Sequence, residues 1–575
     1  MLLEKLSQYA ERLDLPPPMY LKTPIRWIID LDKEGNLVGS GFVQTTSGAK
    51  KGKNDRGKEY VAPHAGRAAG IKAKLLADNG EYVLGLARDK SKQKRVNECH
   101  KAFVDQVKAC AAVTREKTLK AILHFLEKLD LSVLSLPEDL NPASVMSFRV
   151  DGVLPIHLKT VQNYWASVAC GDDENESAVA GTVMQCLICG AERPAVKRLP
   201  FKIKRIPRGQ SSGMALISAN APAFESYGLE ASFIAPTCQD CGERFSKAAN
   251  ALIEGEDTHI TVGPLVYLFW TRGEAPFSVA TLLSHPEPDE VRALIASVFS
   301  GRKGAAETDS MPFYATALSA SGGRVAVRDW MDTTVEKVRR SLARYFALQQ
   351  IVDLGNGAQG NPYGLFPLAA STVREAKDLP PNVPKVLLHM ALRGGPLPSW
   401  LLFEAVKRNR AEQAITRPRA ALIKMVLLSQ QESQVKEDTM TQLEPENHSP
   451  AYLCGRLLAV LEGIQQAAIP GVNATITDRF FGTASSAPAS VFGHLLRGGM
   501  AHLGKLRKEK PGTYEALRRK LAEVQEPLKT FPKTLTLEQQ GLFGLGYFHQ
   551  QAADRAAAIA YRQSRENEKK ESDNQ

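Results

Sequence analysis

Short apolar runs broken by polar residues and turns mark the N-terminal part of the chain. Ile25–Asp32 and Leu37–Thr45 therefore predict two strands, and Lys33-Glu-Gly-Asn36 between them predicts the turn of a hairpin. Asp30, Asp32 and Glu34 superficially resemble calcium-loop ligands, but the chain runs straight into the second strand and lacks the closing Glu, so the hairpin is preferred. From about Ser91 to Leu129 the spacing becomes helical, as at Phe103, Val107, Leu119, Ile122, Leu123 and Leu126. His100 and His124 fall on this stretch and are assigned no chemistry, because lone helical histidines usually sit on the surface or fill a core. Leu131–Ala180 reads as short strands and loops and turns acidic at Asp172-Asp-Glu-Asn-Glu176. Ser246–Ile253 predicts a helix and Leu265–Trp270 a buried strand. Val325–Leu348 predicts a further strand, then a basic helix carrying Arg339, Arg340 and Arg344.

The final third changes character. Pro380-Pro-Asn-Val-Pro384 and Gly394-Gly-Pro-Leu-Pro398 are breakers, and the pattern between and after them is helical. A helix ends near Leu428, and the polar stretch Gln430–Pro450 separates it from a last block that reads as an antiparallel bundle. Tyr452–Ala468 is apolar at helical spacing. Pro488 suits the first position of a helix running to about Leu506, and Thr513 can cap a third helix. Thr536 with Gln539 forms a capping box for a last helix reaching about Arg562, and the tail Gln563–Gln575 is charged and poor in apolar residues. The predicted fold is an α+β N-terminal region with an inserted four-cysteine subdomain, followed by an all-α C-terminal helical bundle. The expected divisions are 1–180, 181–260, 261–390 and 391–575.

A chain of 575 residues is too long for one ordinary core. The net charge of +11 and sequence pI near 9.1 point to a polyanionic partner. Met1-Leu-Leu-Glu-Lys-Leu-Ser7 lacks the apolar core of a signal peptide, and no apolar run reaches membrane-spanning length, so a cytoplasmic protein with no membrane partner is expected. Cys99, Cys110, Cys170 and Cys454 have no paired spacing. A reducing compartment with thiolates on a metal fits this pattern better than a disulfide framework.

Two copies of Cys-x-x-Cys-Gly carry the clearest chemistry: Cys186-Leu-Ile-Cys189-Gly190 and Cys238-Gln-Asp-Cys241-Gly242. One such pair could be a redox dithiol. Two, each closed by a glycine, match zinc knuckles donating Cys186, Cys189, Cys238 and Cys241 to one tetrahedral structural site. The glycine would let the backbone turn over the thiolates at positive φ. The bland alternative is four buried or coincidental cysteines. Between the pairs, Lys197, Arg198, Lys202, Lys204, Arg205 and Arg208 occur with no acid among them. Gly209-Gln-Ser-Ser-Gly213 follows, then Met214–Gly228, read as a short apolar strand and a turn. Backbone N–H groups of such a loop can meet phosphates beside those cations. Lys50-Lys-Gly-Lys-Asn-Asp-Arg-Gly-Lys58 is a second basic, glycine-rich loop. Each is equally a solvated surface loop when no partner is bound.

Several segments resemble one known family, the large subunit of the type I-C CRISPR surveillance complex (Cascade). They are Pro16-Pro-Pro-Met-Tyr20, Pro24–Asp32, Lys74–Gly85, Ser211–Gly228, Asp478–Ser490 and Glu538–Gln550, and they span essentially the whole chain. The zinc site rests on cysteine spacing and not on this resemblance. The resemblance implies a non-catalytic subunit for antiviral defence. Its partners would be the guide RNA near its 5′ handle, duplex target DNA and its displaced strand, the backbone and repeat-processing subunits, a small subunit and a separate helicase-nuclease. It also implies recognition of the protospacer-adjacent motif, followed by unwinding and R-loop formation; guide pairing then reads the target itself.

Residue roles are then assigned from chemistry. Lys50, Lys51, Lys53, Arg56, Lys58, Lys72 and Lys74 are candidate duplex contacts, and Lys202, Lys204, Arg205 and Arg208 further phosphate contacts. Asn54 and Asn79 are candidate base-edge readers, because an amide both donates and accepts; Gln210 and Asn220 rank second. Asn79 can instead simply form the turn before Glu81. Met440 lies in the polar linker and is a candidate internal start for a separate small subunit. A metal-dependent nucleic-acid-processing enzyme and a stand-alone zinc-containing regulator are the alternatives. No P-loop, paired-carboxylate motif or helix-turn-helix supports either.

Overall fold

A computed structural model describes residues 1–46, 55–66, 70–169, 182–219, 221–299, 309–355, 357–430 and 439–573. By their internal contacts these residues form two units, Met1–Ala251 with Ser319–Ala326, and Leu252–Leu318 with Val327–Gln575.

The first unit is built on the predicted hairpin. Strands β1 (Tyr20–Ile25), β2 (Trp27–Leu31), β3 (Leu37–Gln44), β4 (Lys58–Pro63), β5 (Ala77–Asn79) and β6 (Val145–Val150) make two sheets. One has the order β3-β2-β6-β5 and the other pairs β1 with β4. In the first sheet β2 runs antiparallel to β3 and parallel to β6. Asp32 closes the β2–β3 turn by accepting hydrogen bonds from the backbone N–H groups of Glu34 and Asn36 and from the Asn36 amide. That carboxylate is therefore a turn former in the expected hairpin.

Helices α1 (Leu2–Ala10), α2 (Gly80–Val83), α3 (Gln93–Thr114), α4 (Lys117–Glu127) and α5 (Lys159–Ala169) complete this part. The expected helical stretch is thus two helices broken at Arg115, whose φ is 56°. The α5 helix lies where strands and loops were expected: Val161, Tyr164 and Trp165 recur at helical spacing, and all three are buried. The core beneath the sheet gathers Tyr20, Ile29, Phe103, Val107, Ile122, Phe148 and Trp165.

Most of a further sheet, of order β12-β11-β10-β9, belongs to the second unit; it is formed by β9 (His259–Val262), β10 (Leu265–Thr271), β11 (Pro312–Ser321) and β12 (Arg324–Thr334), of which residues 319–326 count with the first unit. All seven residues of β10 are buried, as its unbroken apolar run predicts. The helices after β12 are Val335–Gln349, Leu365–Ala370, Asn382–Arg393, Ser399–Glu412 and Arg417–Ser429. The last block contains Pro450–Ala468, Ile476–Ala484, Pro488–Glu509, Pro511–Gln525 and Leu537–Asp573. Their apolar side chains form one cluster that extends from Ile260 through Leu342 and Leu387 to Phe548 and Ala552.

Pro488 opens its helix as expected, and Thr536 and Gln539 exchange both bonds of the capping box. Thr513 caps nothing: Pro511 starts that helix two residues earlier. Ile476–Ala484 is a further helix with its own capping box of Thr475 and Asp478. No helix among the described residues is long and apolar enough to cross a membrane.

Candidate metal centre and nucleic-acid interface

The first cysteine pair sits on a two-stranded ribbon, β7 (Val183–Gln185) with β8 (Glu192–Pro194). Between them the backbone turns back. Cys186 N–H donates to Ala191 O at 2.9 Å and Gly190 N–H to Cys186 O at 2.9 Å, with Gly190 at φ 71°. This is the expected knuckle, and the positive φ explains its glycine. The second pair is different. The helix α6 (Gln239–Glu254) begins ahead of the expected Ser246, so Cys238 precedes it and Cys241 lies in its first turn. Gly242 is helical there and is not a positive-φ turn. It is small because a Cβ would meet Leu199 Cδ2 at 3.1 Å.

Backbone bonds hold the halves together, Leu187 N–H to Pro236 O at 2.9 Å and Val196 N–H to Thr237 O at 3.0 Å. The four Sγ atoms lie within 4.8 Å of one another, and Cys189 Sγ is 4.0 Å from Cys238 Sγ. A tetrahedral ion bound at about 2.3 Å to four thiolates sets sulfurs about 3.8 Å apart, so this donor set fits such an ion with little movement. Burial alone would raise the Cys186 thiol. The N–H groups of Cys189, Cys238 and Ile188 outweigh it and hold the pKa near 6. Burial raises Cys241, as do its cysteine neighbours. A cation would remove that penalty by compensating the crowded negative charge.

The chain between the cysteine pairs is anchored by alternate apolar residues. Phe201, Ile203 and Ile206 are buried, whereas Lys202, Lys204, Arg205 and Arg208 are exposed. Asn250 fixes this register: Lys204 N–H donates to its Oδ1 at 2.8 Å, and its Nδ2 donates to Lys202 O at 3.0 Å. Arg205 and Arg208 both have φ of 60°, so the backbone turns sharply at each. Gln210 is exposed beside them. The expected strand after it is not formed. Met214, Ala215 and Ala219 make only single bridges, to Ile203, Arg324 and Ala231.

Lys50, Lys51, Lys53, Asn54 and Asn220 lie outside the described residues. At the edge of the basic loop, Asp55 is buried and accepts from Thr46, from Gly57 N–H and from Arg26 at 3.2 Å. Arg56 and Lys58 point to solvent, with Lys58 Nζ 5.8 Å from the Tyr60 ring centroid. Lys72 and Lys74 are half-buried, and Lys74 N–H donates to Asp78 at 2.9 Å. Asn79 caps the short helix α2, its Oδ1 accepting from Tyr82 N–H at 3.3 Å. Its acceptor oxygen already has a structural use.

The profile of one protein family, CRISPR-associated protein (Cas_Csd1), matches residues 4–554. The chain belongs to that family. It is a CRISPR-associated Cascade subunit, and the resemblance seen in its motifs is borne out. No curated protein matches it. In this family member the opening motif is structural. The Pro16 and Pro17 carbonyls accept from Lys247 Nζ at 2.9 and 3.0 Å, Met19 N–H donates to Glu243 at 2.9 Å, and Trp165 Nε1–H donates to Met19 O at 3.1 Å. Glu243 and Lys247 are themselves a buried pair at 2.5 Å. Burial pushes Glu243 up and Lys247 down, and each partner opposes the other's shift. Sequence reasoning missed this pair. Its signal was the i,i+4 spacing of opposite charges on α6.

Proposed function

We propose that this Csd1-family chain is the non-catalytic, nucleic-acid-binding large subunit of a type I-C complex. In this reading it recognises the protospacer-adjacent motif in target duplex DNA, aids unwinding and R-loop formation, contacts the guide RNA 5′ end and recruits a separate helicase-nuclease. The observation that carries it is the segment Lys202–Arg208, which buries its apolar residues and turns four cations to solvent on a scaffold pinned by the cysteine cluster. Such a surface suits phosphates, whose contacts position a nucleic acid without reading its sequence. We assign zinc to the four cysteines as a structural ion, since four thiolates leave no open position for chemistry. The test is target binding by the assembled complex at several salt concentrations. Replacing Lys202, Lys204, Arg205 and Arg208 with Gln should weaken duplexes with and without the motif alike and flatten the salt dependence. Unchanged binding and slope would refute the assignment.

We also read Met440 as an internal start. A product covering 440–575 keeps five helices from Pro450 onward. It loses Ser399–Glu412 and Arg417–Ser429, which supply Leu402 and Ile423 against Gly541, and the connection between them, which supplies Ile415 near Gly544. The fragment would therefore expose an apolar face and would be held in the assembled complex. Changing Met440 to Leu should abolish a fragment that co-purifies with the complex, as read by mass spectrometry; a fragment that persists, or none in the wild type, removes this reading.

A further inference from the structure

Within the cysteine-containing unit, Ala219 and residues 221–231 form a finger whose base is closed by two backbone bonds, Ala219 N–H to Ala231 O at 2.9 Å and the reverse at 3.1 Å. Ser232 braces the base, with N–H donating to Lys197 O and Oγ–H to Ile217 O. Beyond the base, the described finger residues bury no side chain. Its tip is the turn Ser226–Leu229, closed by Leu229 N–H to Ser226 O at 2.9 Å. Tyr227 and Gly228 occupy the two central positions with φ of 54° and 70°. Two positive φ values define the mirror-image turn that suits strand twist, and its first central position favours Asn, Asp or Gly. An aromatic side chain there is strained and calls for a reason. Packing does not supply one, because Tyr227 is 99% exposed.

A second aromatic lies behind it. Phe224 is 49% exposed, and the Arg324 guanidinium lies 3.8 Å from its ring centroid while Nη1–H donates to Ser218 O at 3.3 Å. The finger thus presents two rings, with the Arg324 guanidinium against the inner one. Lys202 and Lys204 pack beside Gly213, in the chain that leads to the finger, and not on the finger itself. Glu230, at the base, is paired with Lys197 at 3.3 Å; Glu225 is exposed on the finger itself.

We propose that Tyr227 is a stacking residue, held out by a strained turn to receive the face of one unstacked nucleobase, with Arg324 at the finger's flank available to a flanking phosphate. Every base has a π-face, so such a contact is sequence-tolerant and takes a base splayed from the guide RNA or flipped at the end of a DNA duplex. The inference rests on the reading that the chain binds nucleic acid, and it names the residue that would disrupt or cap a base stack.

The experiment uses the full assembled complex with 2-aminopurine placed at single positions, in one series along the guide 5′ region and in another along the target duplex near its motif. At one position, Tyr227→Ala should change the probe's fluorescence about twofold or more, while Tyr227→Trp keeps the wild-type signal. Binding of the strand that carries that position should weaken roughly tenfold in Tyr227→Ala. A responding position in the guide identifies the base as the guide's, and one in the duplex identifies it as the target's. Because the side chain is exposed and the turn strained, Tyr227→Asn should melt no lower than wild type, which separates loss of stacking from loss of fold. If wild-type complex binds guide and target but no position distinguishes Tyr227→Ala, the stacking role is overturned and the wider reading stands. If wild-type complex binds neither, both fall.

Discussion

Replacing Gly546 with Ala should unfold the C-terminal bundle more readily, although alanine is the better helix former. Gly546 lies on the helix Leu537–Asp573 where it crosses Pro450–Ala468. A Cβ there would stand 2.2 Å from Tyr452 O, and one on the facing Gly455 would stand 2.0 Å from Phe543 O. Ordinary contact begins at 3.4 Å, so the helices must part by about 1.2 Å (3.4 less 2.2) or bend. A gap of 0.5–1 Å already forfeits about a quarter to a half of the dispersion energy of the atoms that face it, and this one is slightly wider. Those atoms belong to the buried side chains Tyr452, Phe481, Phe543, Tyr547 and Phe548. The crossing also carries polar bonds that fix its register, Tyr547 Oη–H to Glu462 at 2.7 Å and Tyr452 Oη to His549 Nδ1 at 2.9 Å. Overpacking costs about 3 kcal/mol at the upper end of its usual range, and Ala in place of Gly returns about 1 kcal/mol of helix propensity. The net expectation is a loss of about 2 kcal/mol. Gly463 supplies the control: it lies on the same first helix with nothing within 4 Å of an added Cβ, so Gly463→Ala should stabilise by about 0.5–1 kcal/mol. Denaturant unfolding of the full chain, followed by circular dichroism, measures both. A Gly546→Ala protein as stable as wild type would refute the close-crossing argument.

Metal analysis of protein purified without chelator should find about one zinc per chain, and Cys186→Ser should lose it together with the fold of the Cys186–Cys241 region. Normal folding without metal would refute this. Replacing Lys50, Lys51 and Lys53 together should weaken binding to all duplexes, whereas Asn79→Ala should reduce discrimination between motifs if its free amide reads a base. Unchanged motif preference leaves Asn79 as the cap of α2 alone. Burial, with the nearby Lys74 charge, lowers His64 to about 4 against a usual 6.5. The unfolded chain then binds the extra proton, so this stability is full above pH 6.5 and is lost as pH falls toward 4, by up to about 3 kcal/mol. His64→Phe keeps the ring against Phe201, gives up the bond to Pro200 O and should flatten that slope in acid unfolding curves.

The helical pattern was legible where one face is buried, as at Phe103 and Val107 of α3 and Leu119, Ile122 and Leu126 of α4, whereas Trp27–Leu31 and Pro450–Ala468 were legible as apolar runs buried on nearly every side. The cysteine cluster was legible because ligand spacing is local within each pair. What failed was what depends on the rest of the fold. Gly242 looks like Gly190 in sequence, yet it is helical because α6 starts at Gln239 and presses it against Leu199. Met214–Ser218 has the composition of a strand but finds a backbone partner at only one or two positions, so no ladder forms. The buried Glu243–Lys247 pair depends on an N-terminal segment more than two hundred residues away, and no local pattern announces such a partner.

The family motifs divide by what their residues touch. Pro16–Tyr20 places carbonyls on a buried ammonium, and Glu538–Gln550 places Gly541, Gly544 and Gly546 where Leu402, Ile415 and Tyr452 leave no room for a side chain. These motifs are answers to packing, and substitutions in them should act on stability first. The segment Ser211–Gly228 is the opposite case. Its first half is packed, with Met214, Ile217 and Ala219 buried, but residues 221–228 bury no side chain, and Tyr227 is held in solvent at a conformational cost. A stretch that costs stability and contributes no packing, as 221–228 does, is where a partner should be sought. The same reasoning orders the polar candidates. Asn79 already spends its acceptor on a helix cap, whereas Gln210 is exposed beside Arg208 at the root of that segment. On physical grounds Gln210 is therefore the better placed of the two to meet a base, which reverses their order as read from sequence.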